Sequence, residues 1–266
     1  MKKIILSLIL SGLLLTGCGG SLSKTDDGDP SNVGQVAENT LAAENQSGLS
    51  QNDREMVLWD GEIEHIFFHP LIIYPEKAFD GSYRERGFDD WMITRDEMFK
   101  IFVDLYERNF ILVNATEAFV EIDGMWQRNP EFKVPEGLKP LIITIDDLSY
   151  NEVYQGNGYS EKLVLNADGQ VTAQYLDGDE VKEGRDYEIA TYINQFVEEY
   201  PDFSLNNARG VLALTGYEGI LGYRTQVGAD NRDEEIRQAQ LVADQLKKDG
   251  WLFSSHSYGQ DRKSVV

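Results

Sequence analysis

Short apolar runs alternate along this chain with stretches of helical period. Leu141-Ile142-Ile143-Thr144-Ile145, Gly210–Leu214 and Trp251–Ser255 are too short for helices and rich in branched or aromatic residues, which predicts buried strands. Ile63–Ile73 and Phe110–Val113 predict two more. Between them, Thr94-Arg95-Asp96-Glu97 forms a capping box ahead of Met98, Ile101, Phe102 and Leu105, which share one helical face. Tyr187–Tyr200, stopped by Pro201, and Asp233–Lys248, ended by Gly250, predict further helices, and Asn114–Val120 a capped helical turn. Lys162–Leu165 and Val171–Tyr175, joined across Asn166–Gly169, predict a β-hairpin, read as an insertion at about residues 160–176. Strands alternating with helices imply an α/β fold with parallel strands.

The first eighteen residues break this pattern. Lys2 and Lys3 precede an apolar run from Ile4 to Leu15, too short to cross a bilayer comfortably, and Thr16-Gly17-Cys18 follows. The Leu15-Thr16-Gly17-Cys18 ending resembles a bacterial lipobox, which implies lipidation at Cys18 and an exported protein anchored to a membrane, facing away from the cytoplasm. Cys18 is the only cysteine, so neither an intrachain disulfide nor a zinc-thiolate cluster is possible. Residues 19–55 are rich in Ser, Asp, Gly, Asn and Gln and hold no aromatic residue, so they read as a flexible tether. The folded part is expected to start near Met56. A formal charge of −22 argues against a nucleic-acid partner, whose phosphates demand a basic face.

Asp146 and Asp147 close the Leu141–Ile145 run. Successive strand side chains point to opposite faces, so at a strand tip one carboxylate can hold a metal while the other acts as a base. Trp251–Ser255 ends in the same way at His256-Ser257. Taken alone, an Asp pair also suits a loop or a helix N-cap, and a single His suits a core. His65 and His69 would share one face of a strand at a distance, which favours a core or groove-edge role over metal. Gly216, Gly219 and Gly222 match no phosphate-loop spacing and read as a tight turn. Tyr217, Tyr223 and Trp251 are candidates for stacking on sugar rings, with packing as the plainer reading. Ser255 and Ser257 lack the Gly-x-Ser-x-Gly elbow of a serine hydrolase.

Thr144-Ile145-Asp146-Asp147, followed after further strands and helices by His256-Ser257, resembles the polysaccharide deacetylase family, carbohydrate esterase family four. The resemblance runs from about His65 to Gly259, and Ala213–Arg224 is similar to a loop in a lipoprotein branch of that family. It implies a distorted (β/α) barrel, binding one divalent metal, commonly zinc, with chemistry at the C-terminal ends of the strands. It further implies Asp146 as general base, Asp147 and His256 as metal ligands, and an N-acetylated polysaccharide of the cell envelope as substrate. A third ligand, a His at 260, is implied as well, but Gln260 stands there and Asp261–Val266 reads as a non-native tail. The expected unit is therefore an incomplete barrel over residues 56–260, with the later strands missing and the chain as given inactive. A non-catalytic carbohydrate-binding lipoprotein of the same fold is the alternative. A transporter's solute-binding lipoprotein would need two lobes, for which this chain looks too short.

Overall fold

The computed structural model describes residues 54–152 and 155–256. The leader with Cys18, nearly all of the tether, and Ser257, Gln260 and the 261–266 tail lie outside the described residues. No helix among the described residues is long and apolar enough to cross a membrane.

The strands are β1 (Met56–Leu58), β2 (Glu64–Phe68), β3 (Phe110–Leu112), β4 (Phe119–Ile122), β5 (Met125–Arg128), β6 (Lys133–Pro135), β7 (Lys139–Asp146), β8 (Lys162–Leu165), β9 (Val171–Asp177), β10 (Glu180–Gly184), β11 (Gly210–Leu214) and β12 (Trp251–Ser255). The helices are α1 (Pro75–Ala78), α2 (Glu85–Trp91), α3 (Arg95–Glu107), α4 (Ala115–Ala118), α5 (Ile189–Glu199) and α6 (Arg232–Asp249). The centre is a parallel five-stranded sheet ordered β12-β11-β7-β2, with β3 beside the first residues of β7. The architecture is mixed α/β. The sheet is open rather than closed into a barrel among the described residues, so the barrel expectation is met only at the level of a parallel α/β sheet.

The two faces of this sheet differ. Ile66, Phe68, Ile143, Ile145, Leu212 and Phe253 face α3, α5 and α6, whose apolar stripes join them in one core. Phe102, Phe196 and Phe203 form an aromatic knot there, with Phe196 and Phe203 ring centroids 5.1 Å apart. Burying each such ring contributes about 1.5–3 kcal/mol. The capping box forms as the sequence predicts: the Thr94 hydroxyl accepts from Glu97 N–H while the Glu97 carboxylate accepts from Thr94 N–H. Gly250 ends α6 at φ +109°, a conformation that suits glycine.

Strand alternation sends His65, Phe67, Ile142, Thr144, Asp146, Val211, Ala213, Leu252 and Ser254 to the opposite face. A second, smaller cluster of Ile111, Val113, Phe132, Val134, Leu138 and Ile142 covers its lower end. Toward the strand tips the face is open, and Phe67 is 53% exposed.

Three expectations are corrected. The run predicted as a strand over Ile63–Ile73 is a strand only at Glu64–Phe68, so His69 lies past its end rather than on one strand face with His65. The turn after Asn114 is helical only to Ala118, because Phe119 and Val120 enter the β4–β5 hairpin. The 160–176 insertion is a three-stranded antiparallel sheet, β8–β9–β10, and it does not merely decorate the fold. Leu163, Val171 and Ala173 are buried in the main core, and Lys77 of α1 bridges to the Tyr175 hydroxyl and Asp177, each at 2.7 Å.

Candidate functional site

Parallel strands deliver their C-terminal tips to one edge, and that edge gathers the polar residues. β7 ends at Asp146, β2 leads into His69, β11 into Thr215 and β12 into His256. The ladder continues one step past the strands, with His256 N–H donating to Leu214 O at 2.9 Å and Asp147 N–H to Ala213 O at 3.2 Å. His256 Nε2 lies 3.7 Å from Asp146 Oδ2. Asp146 is partly withdrawn from water, and burial raises its pKa above the ordinary carboxylate value. The neighbouring His256 and His69 pull it back down, while Asp147 adds to the rise.

Asp147 leaves the sheet at φ +61°, a left-handed conformation rare for a residue with a Cβ. Its carboxylate accepts a hydrogen bond from the Thr215 hydroxyl, and Ser149 Oγ donates to Thr215 O at 2.8 Å. Arg224 then locks the two tip loops together. Its guanidinium donates to Ser149 O at 3.2 Å, to Tyr150 O at 2.7 Å and to Glu218 O at 2.8 Å, and pairs with Glu152 at 3.3 Å. The glycines of this loop serve its backbone. Gly219 has φ +92°, and a Cβ there would sit 1.9 Å from Tyr223 O; Gly222, at φ +87°, faces Glu161 O at 2.3 Å. Ile220 and Tyr223 exchange both backbone hydrogen bonds, so the chain turns tightly there, but within a long loop between β11 and α6 rather than in a direct turn from strand to helix.

Beneath the loops sits Glu188, fully buried. Its carboxyl meets the Tyr150 hydroxyl at 2.9 Å and accepts from Ile189 N–H at 2.8 Å, capping α5. Burial pushes it up to about 7, against the opposing pull of the Ile189, Tyr150 and Leu71 hydrogen bonds.

A cleft of about 640 Å³ opens beside Asp147, with Tyr83, Trp91, Tyr159 and Tyr217 among its walls and Ser149, Asn151 and Thr215 as polar lining. His69 stands at its edge, in edge-to-face contact with Phe67 and Trp91 at 5.9 Å each. His69 Nδ1 is buried and has no hydrogen-bond partner among the described residues. His65 Nε2 pairs with Thr144 Oγ1 at 3.0 Å. Of the aromatic residues considered for stacking, Tyr217 is 54% exposed at the cleft, whereas Tyr223 and Trp251 are buried, Trp251 donating to Asn194.

Asp146, Asp147 and His256 thus lie at one edge. Among the described residues, no three His, Cys, Asp or Glu side chains converge as a metal-binding group. The donor types fit a divalent ion of zinc's character, with carboxylate and imidazole at strand tips and an orphaned imidazole nitrogen on His69 nearby. Sequence reasoning missed Glu188, Tyr83 and Trp91. Thr215 and Arg224 were visible in the Ala213–Arg224 loop, but their roles were not. Comparisons with protein-family models, with curated proteins and with solved structures find no match to this chain.

Proposed function

We propose that this chain carries the base and metal-ligand part of a metal-dependent hydrolase that removes N-acetyl groups from an amino-sugar polymer of the cell envelope. The observation that carries this reading is the meeting of Asp146 and His256, 3.7 Å apart, at the tips of parallel strands, with Asp147 beside them. Asp147 and His256 would hold the metal, which supplies Lewis-acid polarisation of the acetyl carbonyl. Asp146 accepts the proton of the attacking water, and its partial burial keeps it more basic than a surface carboxylate. The helices on one sheet face, and the open face behind Phe67, support the finer reading of the sheet as part of a distorted (β/α) barrel wall. The Leu15–Cys18 lipobox supports a lipid-anchored, exported protein; labelled palmitate should enter wild type and not Cys18→Ser, and equal labelling would sink the anchor.

Calorimetric titration of the full chain with Zn²⁺ or Co²⁺ decides the metal reading. One ion per chain is expected, bound about tenfold or more weakly by His256→Ala and Asp147→Asn. No saturable uptake, or uptake indifferent to both changes, would overturn it. Gln260, where the resemblance implies a ligand, favours a second reading, a non-catalytic carbohydrate-binding lipoprotein. The genomic codon 260 separates the two. His there favours the enzyme and Gln the binding protein.

A further inference from the structure

A second pocket, of about 480 Å³, opens at the opposite edge of the sheet, where the strands begin. Arg209 stands immediately before β11, and four strand steps, about 13 Å, separate it from Ala213 beside Asp146. The pocket therefore takes no part in the chemistry proposed above. Its size falls within the ~300–1,000 Å³ range of small-molecule sites.

Among the described residues that line it, Arg209 alone carries a charge, and it is only 6% exposed. Its Nη1 donates to Asn207 O at 3.3 Å and to Ala208 O at 3.2 Å, whereas Nε is buried and has no acceptor among the described residues. Arg209 makes no ion pair among them either. Burial pulls its pKa below the ordinary guanidinium value; Asp249 and Glu198 oppose that pull, and Arg185 adds to it. Both carboxylates are engaged elsewhere. Glu198 holds Arg185 in a fork at 2.6 and 2.8 Å, and the oxygens of Asp249 accept from Gln245 and Asn194. A guanidinium keeps its charge, so one buried without a carboxylate partner carries a desolvation cost that an incoming anion offsets.

The surroundings narrow the anion. Glu55, Glu136 and Asp202 flank the lining residues Met56, Pro135 and Pro201 in the chain, and the formal charge is −22, so one negative charge is tolerated better than two. Asn206 and Asn207 donate their amide NH₂ groups to Glu117 Oε2 at 2.9 Å and to Asp249 O at 3.1 Å, which leaves their amide oxygens as acceptors. Val197 and Leu205 add apolar wall. One cation, amide acceptors and a small apolar surface match the end of a peptide, with its carboxylate, backbone N–H and side chain.

We propose that this pocket binds the C-terminal carboxylate of a short peptide, with Arg209 as its counter-ion. The site is separate from the hydrolase reading and needs no metal.

The test is calorimetric titration of the full chain, in low-salt buffer with EDTA, with N-acetyl-trialanine, with its C-terminal amide and with sodium acetate. Wild type should bind the peptide acid saturably, and at least about tenfold more tightly than the amide or acetate. Arg209→Met should bring the acid down to the level of the amide, with circular dichroism as the check on folding. Met56 is part of the lining and 43% exposed, so Met56→Lys and Met56→Glu change the charge there without disturbing the core. The first should tighten the acid about twofold or more and the second weaken it by a similar factor, with the amide indifferent to both. Absence of saturable binding, acid and amide bound alike, or acetate bound as tightly as the peptide acid would each overturn the proposal. A folded Arg209→Met that binds the acid as wild type does would overturn it too. If Arg209→Met unfolds, the Met56 pair decides: opposite shifts confined to the acid support the site, and unchanged affinities overturn it.

Discussion

His256 reaches Asp146 across an intervening strand, the two side chains ending 3.7 Å apart although β11 separates β12 from β7. Two strand spacings amount to about 10 Å, so both side chains must lean over the strand between them. The residue they lean over is Ala213, which pairs with Asp146 on one side and Ser254 on the other and points to the same face. A methyl group leaves that space free.

Ala213→Leu should therefore part the pair. The larger side chain fills the gap between Asp146 and His256, and overpacking at a site only 8% exposed costs about 1–3 kcal/mol. Zn²⁺ affinity is expected to fall about tenfold or more, a loss as large as that from removing a supporting residue. Ala213→Gly serves as the control that keeps the gap. Calorimetry showing Leu and Gly variants with equal metal affinity would refute this account of the gap.

Asp147 separates structure from chemistry at one position. Asn tolerates the left-handed backbone that Asp147 adopts and offers the same oxygen to the Thr215 hydroxyl. Asp147→Asn should leave thermal stability within about 0.5 kcal/mol of wild type. It should also reduce metal affinity, since a neutral amide is a weaker ligand than a carboxylate. Asp147→Val, β-branched at φ +61°, should by contrast lower stability by about 1–3 kcal/mol. A thermal melt in which Asn is as damaging as Val would show that the charge itself holds the loop.

The central strands were legible in the sequence because buried parallel strands read as unbroken apolar runs. Gly210–Leu214 and Trp251–Ser255 appear in the structure with the bounds their pattern gives. The capping box at Thr94 and the glycine stop at Gly250 are local signals and were equally plain. The β1–β6 and β4–β5 ribbons were not, since their strands are short and expose Met56, Leu58, Met125 and Trp126, leaving no periodic contrast. At the site, the strand-end carboxylates and His256 announced themselves by position. Glu188, Trp91 and the role of Thr215 did not, because each acts through a partner distant in sequence. Glu188 touches Tyr150 38 residues away, and Thr215 touches Asp147 68 residues away.

Arg224 is expected to matter more than any surface ion pair. Only 16% of its side chain is exposed, and it satisfies three carbonyls belonging to the two loops that carry Asp147 and Thr215. Arg224→Ala leaves those acceptors short of donors, at about 1–3 kcal/mol for each that stays buried, so a loss of roughly 2–4 kcal/mol is expected in chemical denaturation. Arg224→Lys cannot reproduce the planar fork and should recover less than half of that loss. Full rescue by Lys would show that the charge opposite Glu152, rather than the carbonyl contacts, does the holding.

Glu188 gives the fold a pH dependence whose sign can be worked out. Its pKa rises from 4.5 to about 7 in the folded chain, chiefly because burial penalises the charged form. The folded state therefore holds its proton more tightly than the unfolded state. The stabilisation is fully present below about pH 4.5, declines as pH rises toward 7, and is lost above that value. The shift corresponds to about 3 kcal/mol between those limits. Glu188→Gln mimics the protonated acid: its amide oxygen can accept from Ile189 N–H and its NH₂ can donate to the Tyr150 hydroxyl. The variant should match wild type near pH 4.5 and exceed it in stability by up to about 3 kcal/mol at pH 8. Urea denaturation of both proteins across pH 4.5–8 checks this, because other titrating groups cancel in the difference. A difference that stays flat with pH would mean that Glu188 is already charged at the low end. Because Tyr150 sits in the same loop as Asp147 and is held by Arg224, the wild-type loop should loosen with the same pH profile. Hydrogen exchange at Leu148 and Ser149 should therefore speed up above pH 7, beyond its intrinsic pH dependence, in wild type and not in Glu188→Gln.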